Sequence, residues 1–331
     1  MKLDRRQIVA GVGAGIAATA LGAPGGGAQA FKGAGRVLAG FPAGGTLDAA
    51  ARRFADAIKA EFPDGLIVEN RPGAGGRIAV DGLKQAAPDG LTLLMSPDSM
   101  FSIYPSYYKK LSYNVDTDIA PVSAFVTLPY GFAVSSKVPA AVKDLKAFVA
   151  WAKANPNDAA FGHPSTGSSP HFAGNEFNRV AGAGMRHVPY RGSVPAVQDL
   201  LGGHVASVML PFGDVLQFAA PGGNARLLGV TSEKRSRLAA NVPTFAEQGF
   251  GEITFIETYG VYLPGKAPAA LRQRFADAIK KAGADPAVTK AMEVLGMEVT
   301  PMTPAEFDAY LTRQRAKWTP IVKASGFTSD E

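Results

Sequence analysis

The sequence predicts an α/β fold in two lobes, each built on a mostly parallel sheet, with crossing strands between them. Three observations carry this. Short apolar runs alternate with amphipathic helical runs along most of the chain, the pattern of strand–helix–strand units. One device, a strand followed by a glycine- and hydroxyl-rich turn and then a helix, occurs near the start and again in the middle. Two β-rich stretches, 122–134 and 254–263, are placed to carry the chain across and back. The expected boundaries are 31–130 with 256–331 for the first lobe, and 131–255 for the second. A chain of 331 residues with 47% hydrophobic composition can supply both cores.

Residues 1–30 read as an export signal. Lys2, Arg5 and Arg6 precede an uncharged run at 8–21, and Ala28-Gln29-Ala30 fits a small-x-small cleavage pattern. The run is too short and too rich in glycine for a permanent membrane span. The Arg5-Arg6 pair suggests twin-arginine export, with general secretion as the alternative. The mature chain is expected to begin near Phe31, in a bacterial periplasm.

The first element is an apolar strand at 36–40. Phe41-Pro42-Ala43-Gly44-Gly45-Thr46 then turns into an alanine-rich helix that runs to residue 58. Gly44 and Gly45 admit backbone geometry that other residues resist. Thr46 or Asp48 is positioned to cap the helix. Such a helix start can hold a carboxylate or phosphate without a lysine or arginine. An ordinary strand-to-helix turn explains the stretch equally well.

A second strand at 65–70 leads into the loop 71–76 and a helix at 78–87. Glycines 73, 75 and 76 lack dinucleotide-binding spacing and follow the second strand, not the first, which argues against a nucleotide. A third strand covers 91–95. The stretch 96–122 has no clean period, and surface packing accounts for most of its tyrosines. Ser99 sits just past a strand end, where ligands collect in open α/β sheets.

The second turn lies between a strand at 159–162 and a helix at 171–181. Ser165, Thr166, Gly167, Ser168 and Ser169 offer hydroxyls and backbone N–H groups beside a helix start. His171 fits packing or hydrogen bonding better than a direct ligand contact. A serine hydrolase is disfavoured, because no nucleophile elbow is present and nothing orients the histidine. Beyond this come a strand at 186–190, a turn at 191–193, a helix at 194–201 and a strand at 205–210. Asp214 suits capping of the following helix better than lining a cleft. A strand at 226–230 and helices at 268–282, 287–295 and 304–321 complete the chain.

Composition excludes several classes. There are no cysteines, so no disulfide framework and no thiolate chemistry. The formal charge of +6 is scattered, which does not describe a nucleic-acid surface. The four histidines, at 163, 171, 187 and 204, show no metal-ligand spacing, and no metal or cofactor is expected.

Taken in order, FPAGGTLDAAAR, ENRPGAGG, the run 104–122, STGSSPHFAGNEF, HVPYRGSVPAVQDLLGGHV and TSEKRSRLAANVPTFAEQGF resemble the periplasmic solute receptors of tripartite tricarboxylate transporters, the Bug family. The resemblance covers essentially all of the mature chain. It implies a bilobed, periplasmic-binding-protein-like fold of type II that closes on a small organic carboxylate. It implies a receptor without catalysis, delivering its ligand to membrane transporter subunits. Nothing in the sequence demands more than a monomer. A sensor passing the same signal to a receptor domain is an alternative role. The ligand set it implies comprises Phe41, Gly44, Gly45, Thr46 and Asp48 from the first loop, and Ser165, Thr166, Gly167, Ser168, Ser169 and His171 from the second; Ser99 joins these from its place at a strand end. Gly192, Ser193 and Ala196 match the turn and helix start beside the cleft, and Asp214 an acidic residue near it. Tyr259 stands where many members carry tryptophan.

Overall fold

The structure, a computed structural model, describes residues 31–220 and 222–329; the expected export signal and its cleavage point at Ala30 lie outside them. The first part of the chain forms β1 (Gly35–Ala39), α1 (Thr46–Ile58), β2 (Leu66–Asn70), α2 (Arg77–Lys84), β3 (Thr92–Pro97), two single turns α3 (Ser99–Ser102) and α4 (Tyr104–Tyr107), and the long β4 (Ile119–Ser135). The middle forms α5 (Leu145–Ala154), β5 (Ala160–His163), α6 (Ser169–Ala181), β6 (Arg186–Pro189), α7 (Ser193–Leu201), β7 (Ser207–Pro211), the short α8 (Phe212–Val215) and β8 (Ala225–Val230). The last part forms β9 (Ile256–Pro264), α9 (Ala269–Gly283), α10 (Pro286–Glu293), β10 (Glu298–Val299) and α11 (Pro304–Ser325).

The strands join in the order β2-β1-β3-β9-β4-β7-β5-β6. β1 lies parallel to β2 and β3, and β5 lies parallel to β6 and β7. β9 and β4 run antiparallel between these two groups, from Ile119 opposite Pro264 to Pro129 opposite Ile256. The last residues of β4 then pair antiparallel with β7 and β8. The sheet is therefore mixed, and the expectation of mostly parallel sheets holds only for its outer strands. Crossing strands arrive from the opposite end of the sheet, so their ladders cannot be parallel to it. The two β-rich stretches expected to carry crossings form β4 and β9.

Core formation follows the apolar runs. Ala50, Ala51 and Phe54 of α1 cluster with Val37, Leu93 and Phe125. Phe132, Phe148, Phe161, Phe177 and Phe245 form the aromatic centre of a second cluster. The run Leu93-Leu94-Met95 is buried throughout, as a strand covered on both faces requires.

The tyrosine stretch needs correction. Tyr104, Tyr107, Tyr108 and Tyr113 are buried rather than at the surface. A phenol can bury its ring if its hydroxyl finds a partner. Tyr113 donates to the Met100 carbonyl at 2.6 Å, and Tyr104 to the Gly75 carbonyl at 2.8 Å. Among the described residues no helix is long and apolar enough to cross a membrane.

Candidate functional site

The first loop is shaped by Asp48. Its carboxylate accepts the Gly44 N–H at 3.0 Å, the Arg52 guanidinium and the Asn70 amide, which also holds the Phe41 carbonyl. Burial pushes this carboxyl up, but Arg52, Gly44 and Asn70 together hold it below its ordinary range. Gly45 is the N-cap residue of α1 and offers no side chain. Neither Thr46 nor Asp48 caps the helix in the expected way. Thr46 is instead the first helical residue, and its N–H and hydroxyl both point at Asp214, at 2.7 and 2.6 Å.

Asp214 therefore does not cap the helix that follows it in sequence. It lies within α8 and reaches the start of α1, 168 residues away. Burial raises its pKa, opposed by hydrogen bonds from Ser193 and Thr46.

The second loop is pinned from within and from outside. Ser168 donates to the Ser165 carbonyl at 2.6 Å, and Gly167 N–H to His171 Nδ1 at 3.3 Å. The Tyr104 hydroxyl lies 3.3 Å from Ser165 Oγ, and Tyr108 donates to the Thr166 carbonyl at 3.3 Å. Gly167 has φ +84°, and a Cβ there would lie 2.7 Å from the Tyr107 ring. Only glycine lets this loop approach the tyrosines so closely.

Two adjoining cavities lie between these loops. The inner one, about 40 Å³, is lined by Phe41, Gly45, Thr46, Ser99, Ser168, Ser193, Asp214 and Tyr259 among the expected residues. The starts of three helices reach its wall: Thr46 of α1, Pro170 of α6 and Ser193 of α7. No lysine or arginine lines it. The outer cavity, about 390 Å³, is lined by Ser165, Thr166 and Gly192, and shares Phe41, Pro42 and Pro164 with the inner one.

The remaining expected residues stand behind these walls. Gly44 and Asp48 shape the first loop. Gly167 shapes the second. Ser169 donates to Glu257 at 3.4 Å. His171 and Ala196 are fully buried and line neither cavity.

Sequence reasoning missed three features. Glu257 lines the inner cavity beside Asp98, and both are buried. Glu257 accepts the Tyr130 hydroxyl at 2.8 Å. Burial, repulsion from Asp98 and a hydrogen bond with Asp98 push the Glu257 carboxyl well above the ordinary range, which favours its neutral form. Nothing local in Glu257-Thr258-Tyr259 signals this, because Asp98 comes from a distant segment. The glycine loop 73–76 lines the outer cavity, with Gly75 against Ser165. The histidines also need correction. His163, His171 and His187 come together despite their sequence separation, each offering one ring nitrogen within 4.8 Å of the others.

Residues 50–327 match the tripartite tricarboxylate transporter family receptor. The chain is 32% identical to the protein BugT of Bordetella pertussis over 287 residues, 86% of this chain and 87% of that protein. A solved periplasmic transporter superposes with a TM-score of 0.83 at 32% identity, covering 89% of this chain and 98% of that one. The periplasmic binding protein BugD superposes with a TM-score of 0.82 at 26% identity, with the same coverage. This chain belongs to the tripartite tricarboxylate transporter receptor family, the Bug group of periplasmic solute-binding proteins.

Proposed function

We propose that the protein captures a small organic carboxylate in the periplasm, between a lobe of residues 31–130 with 256–331 and a lobe of residues 131–255, and delivers it to transporter subunits in the membrane. The observation that carries this reading is the convergence of three helix starts, of α1, α6 and α7, on one cavity without a basic side chain. The positive ends of the helix dipoles favour an anion there, and parting of the loops frees the Thr46 N–H that Asp214 holds in this state. The raised Glu257 carboxyl favours its neutral form, which lessens repulsion of an anion.

An inner cavity of about 40 Å³ is contracted; ligand pockets usually enclose about 300–1,000 Å³. Binding therefore requires the two loops to part and close again. The Thr46–Asp214 contact then acts as a latch on the closed form, together with ligand contacts made only on closure. The closed form is what a membrane component recognises. No cofactor and no second copy of the chain enter this reading.

The loop serines support binding rather than hydrolysis. Ser165 donates to the Thr166 carbonyl, Ser168 to the Ser165 carbonyl and Ser169 to Glu257. Each hydroxyl is thus committed away from a histidine base.

A thermal-unfolding screen against small organic acids and their amides tests the reading. At a hundred times its dissociation constant, a ligand adds about 2.7 kcal/mol of stability, a shift of about 4 °C at this size. One acid should shift the midpoint while its amide does not. A panel in which amides and acids shift it equally, or no acid shifts it, overturns the carboxylate assignment.

A further inference from the structure

The second loop is bracketed by histidines. β5 pairs in parallel with β6, with Phe161 opposite His187 and His163 opposite Pro189. His163 and His187 therefore project from one face of the sheet. α6 folds back over that face and sets the His171 ring 4.4 Å from His163 and 4.8 Å from His187, centre to centre. His163 and His171 are fully buried, and His187 is half-buried.

We propose that His163, His171 and His187 bind one divalent transition-metal ion of borderline softness, with Zn²⁺ as the type. Three imidazoles without a carboxylate suit zinc, copper or nickel and give calcium or magnesium no oxygen ligand. His163 Nε2 and His187 Nδ1 lie 3.2 Å apart. Two nitrogens at about 2.0–2.1 Å from a tetrahedral zinc stand roughly 3.3 Å apart, so this pair already spans one edge of the site.

The surrounding bonds fix the donors. The His163 Nδ1 hydrogen is directed at the Ser165 carbonyl at 3.0 Å, which leaves Nε2 with its lone pair toward the cluster. In the ion-free protein that lone pair accepts the His187 Nδ1 hydrogen. On binding, this hydrogen moves to His187 Nε2, and both facing nitrogens become ligands. His171 touches the Gly167 N–H at 3.3 Å and the Asn175 amide at 2.8 Å. The first contact is long and is the one an ion replaces. The Phe327 ring packs on His171 and His187, 5.3 and 5.6 Å between ring centres, and gives the site an apolar cover.

Such an ion would tie both ends of the second loop, through the Ser165 carbonyl and His171. The test is calorimetric titration of the untagged full chain with ZnCl₂, beside the absorption spectrum of the chain loaded with Co²⁺. One ion per chain is expected, with the visible bands of a four-coordinate, nitrogen-rich site. His187→Gln should weaken Zn²⁺ binding at least tenfold. His204→Gln should leave it unchanged, because His204 lies apart in an exposed pair with Asp199. His187 is half-buried, so its variant is checked for folding by circular dichroism. The Co²⁺ spectrum of the unaltered chain reads the site independently of any variant. Absence of one-to-one binding, undiminished binding by folded His187→Gln, a six-coordinate Co²⁺ spectrum, or loss with His204→Gln overturns the assignment.

Discussion

Thr46 gives both its amide and its hydroxyl hydrogen to one oxygen of Asp214, at 2.7 and 2.6 Å. The two residues lie in different proposed lobes, so this contact exists only while the lobes are together. A hydrogen bond to a charged group contributes about 1.5–3 kcal/mol. Asp214→Ala should therefore weaken carboxylate binding by about 10- to 100-fold, with the unfolding cooperativity unchanged. Titration calorimetry with an acid from the stability screen measures it. Tighter binding would instead mean that Asp214 competes with the ligand for the Thr46 N–H.

Gly192 tests closure by sterics. Its φ is +106°, and a Cβ there would lie 2.6 Å from Pro42 Cδ on the opposite loop. Gly192→Ala should lose about 1–3 kcal/mol of stability to backbone strain and also bind ligand more weakly, since Pro42 must retreat. Gly65 offers the control. Its φ is +101° with nothing near its Cβ position. Gly65→Ala should share the stability loss and keep the affinity. Equal affinity losses in the two variants would remove the steric argument.

Much of this molecule was legible because its signals are local. The turn at 41–46 and the loop at 165–169 each announce a helix start through glycine, serine and threonine, and both line the cavities. Ser99 was legible from its place at a strand end. What stayed hidden depends on distance in sequence. Asp214 reads as a cap for the nearest helix, and only the fold shows that it serves α1. Asp98 with Glu257, and His163 with His187, are made neighbours by strand pairing, which leaves no periodic trace. The buried tyrosines were misread for a related reason: their hydroxyl partners, such as the Gly75 carbonyl for Tyr104, belong to other segments.

The Glu257–Asp98 pair predicts a pH dependence. Burial raises both carboxyls, Glu257 well above its ordinary range. Between the unfolded and the raised folded pKa, the folded chain keeps a proton that the unfolded chain has released. Stability from this pair is fully present at low pH and falls as pH rises through that window. Glu257→Gln keeps the neutral shape and should flatten the decline. Denaturant titrations at pH 5 and pH 8 measure it. A decline of unchanged slope in the variant would assign the effect to other groups.

Asp48 predicts the opposite sign. Its burial alone would raise the pKa, but Arg52, Gly44 N–H and Asn70 outweigh it and hold the carboxyl low. Its contribution is present above the ordinary carboxyl pKa and is lost as pH falls through the lowered folded value. Asp48→Ala leaves the Gly44 N–H and the Asn70 amide without this acceptor and should cost about 2 kcal/mol at pH 7. The gap between the two proteins should narrow as pH falls through the lowered folded value, where Asp48 itself takes up a proton. Denaturant unfolding of both at each pH measures the gap. A constant gap would show that Asp48 acts through packing. A closing gap would show that its charge holds the first loop in the shape that places Thr46 against the cavity.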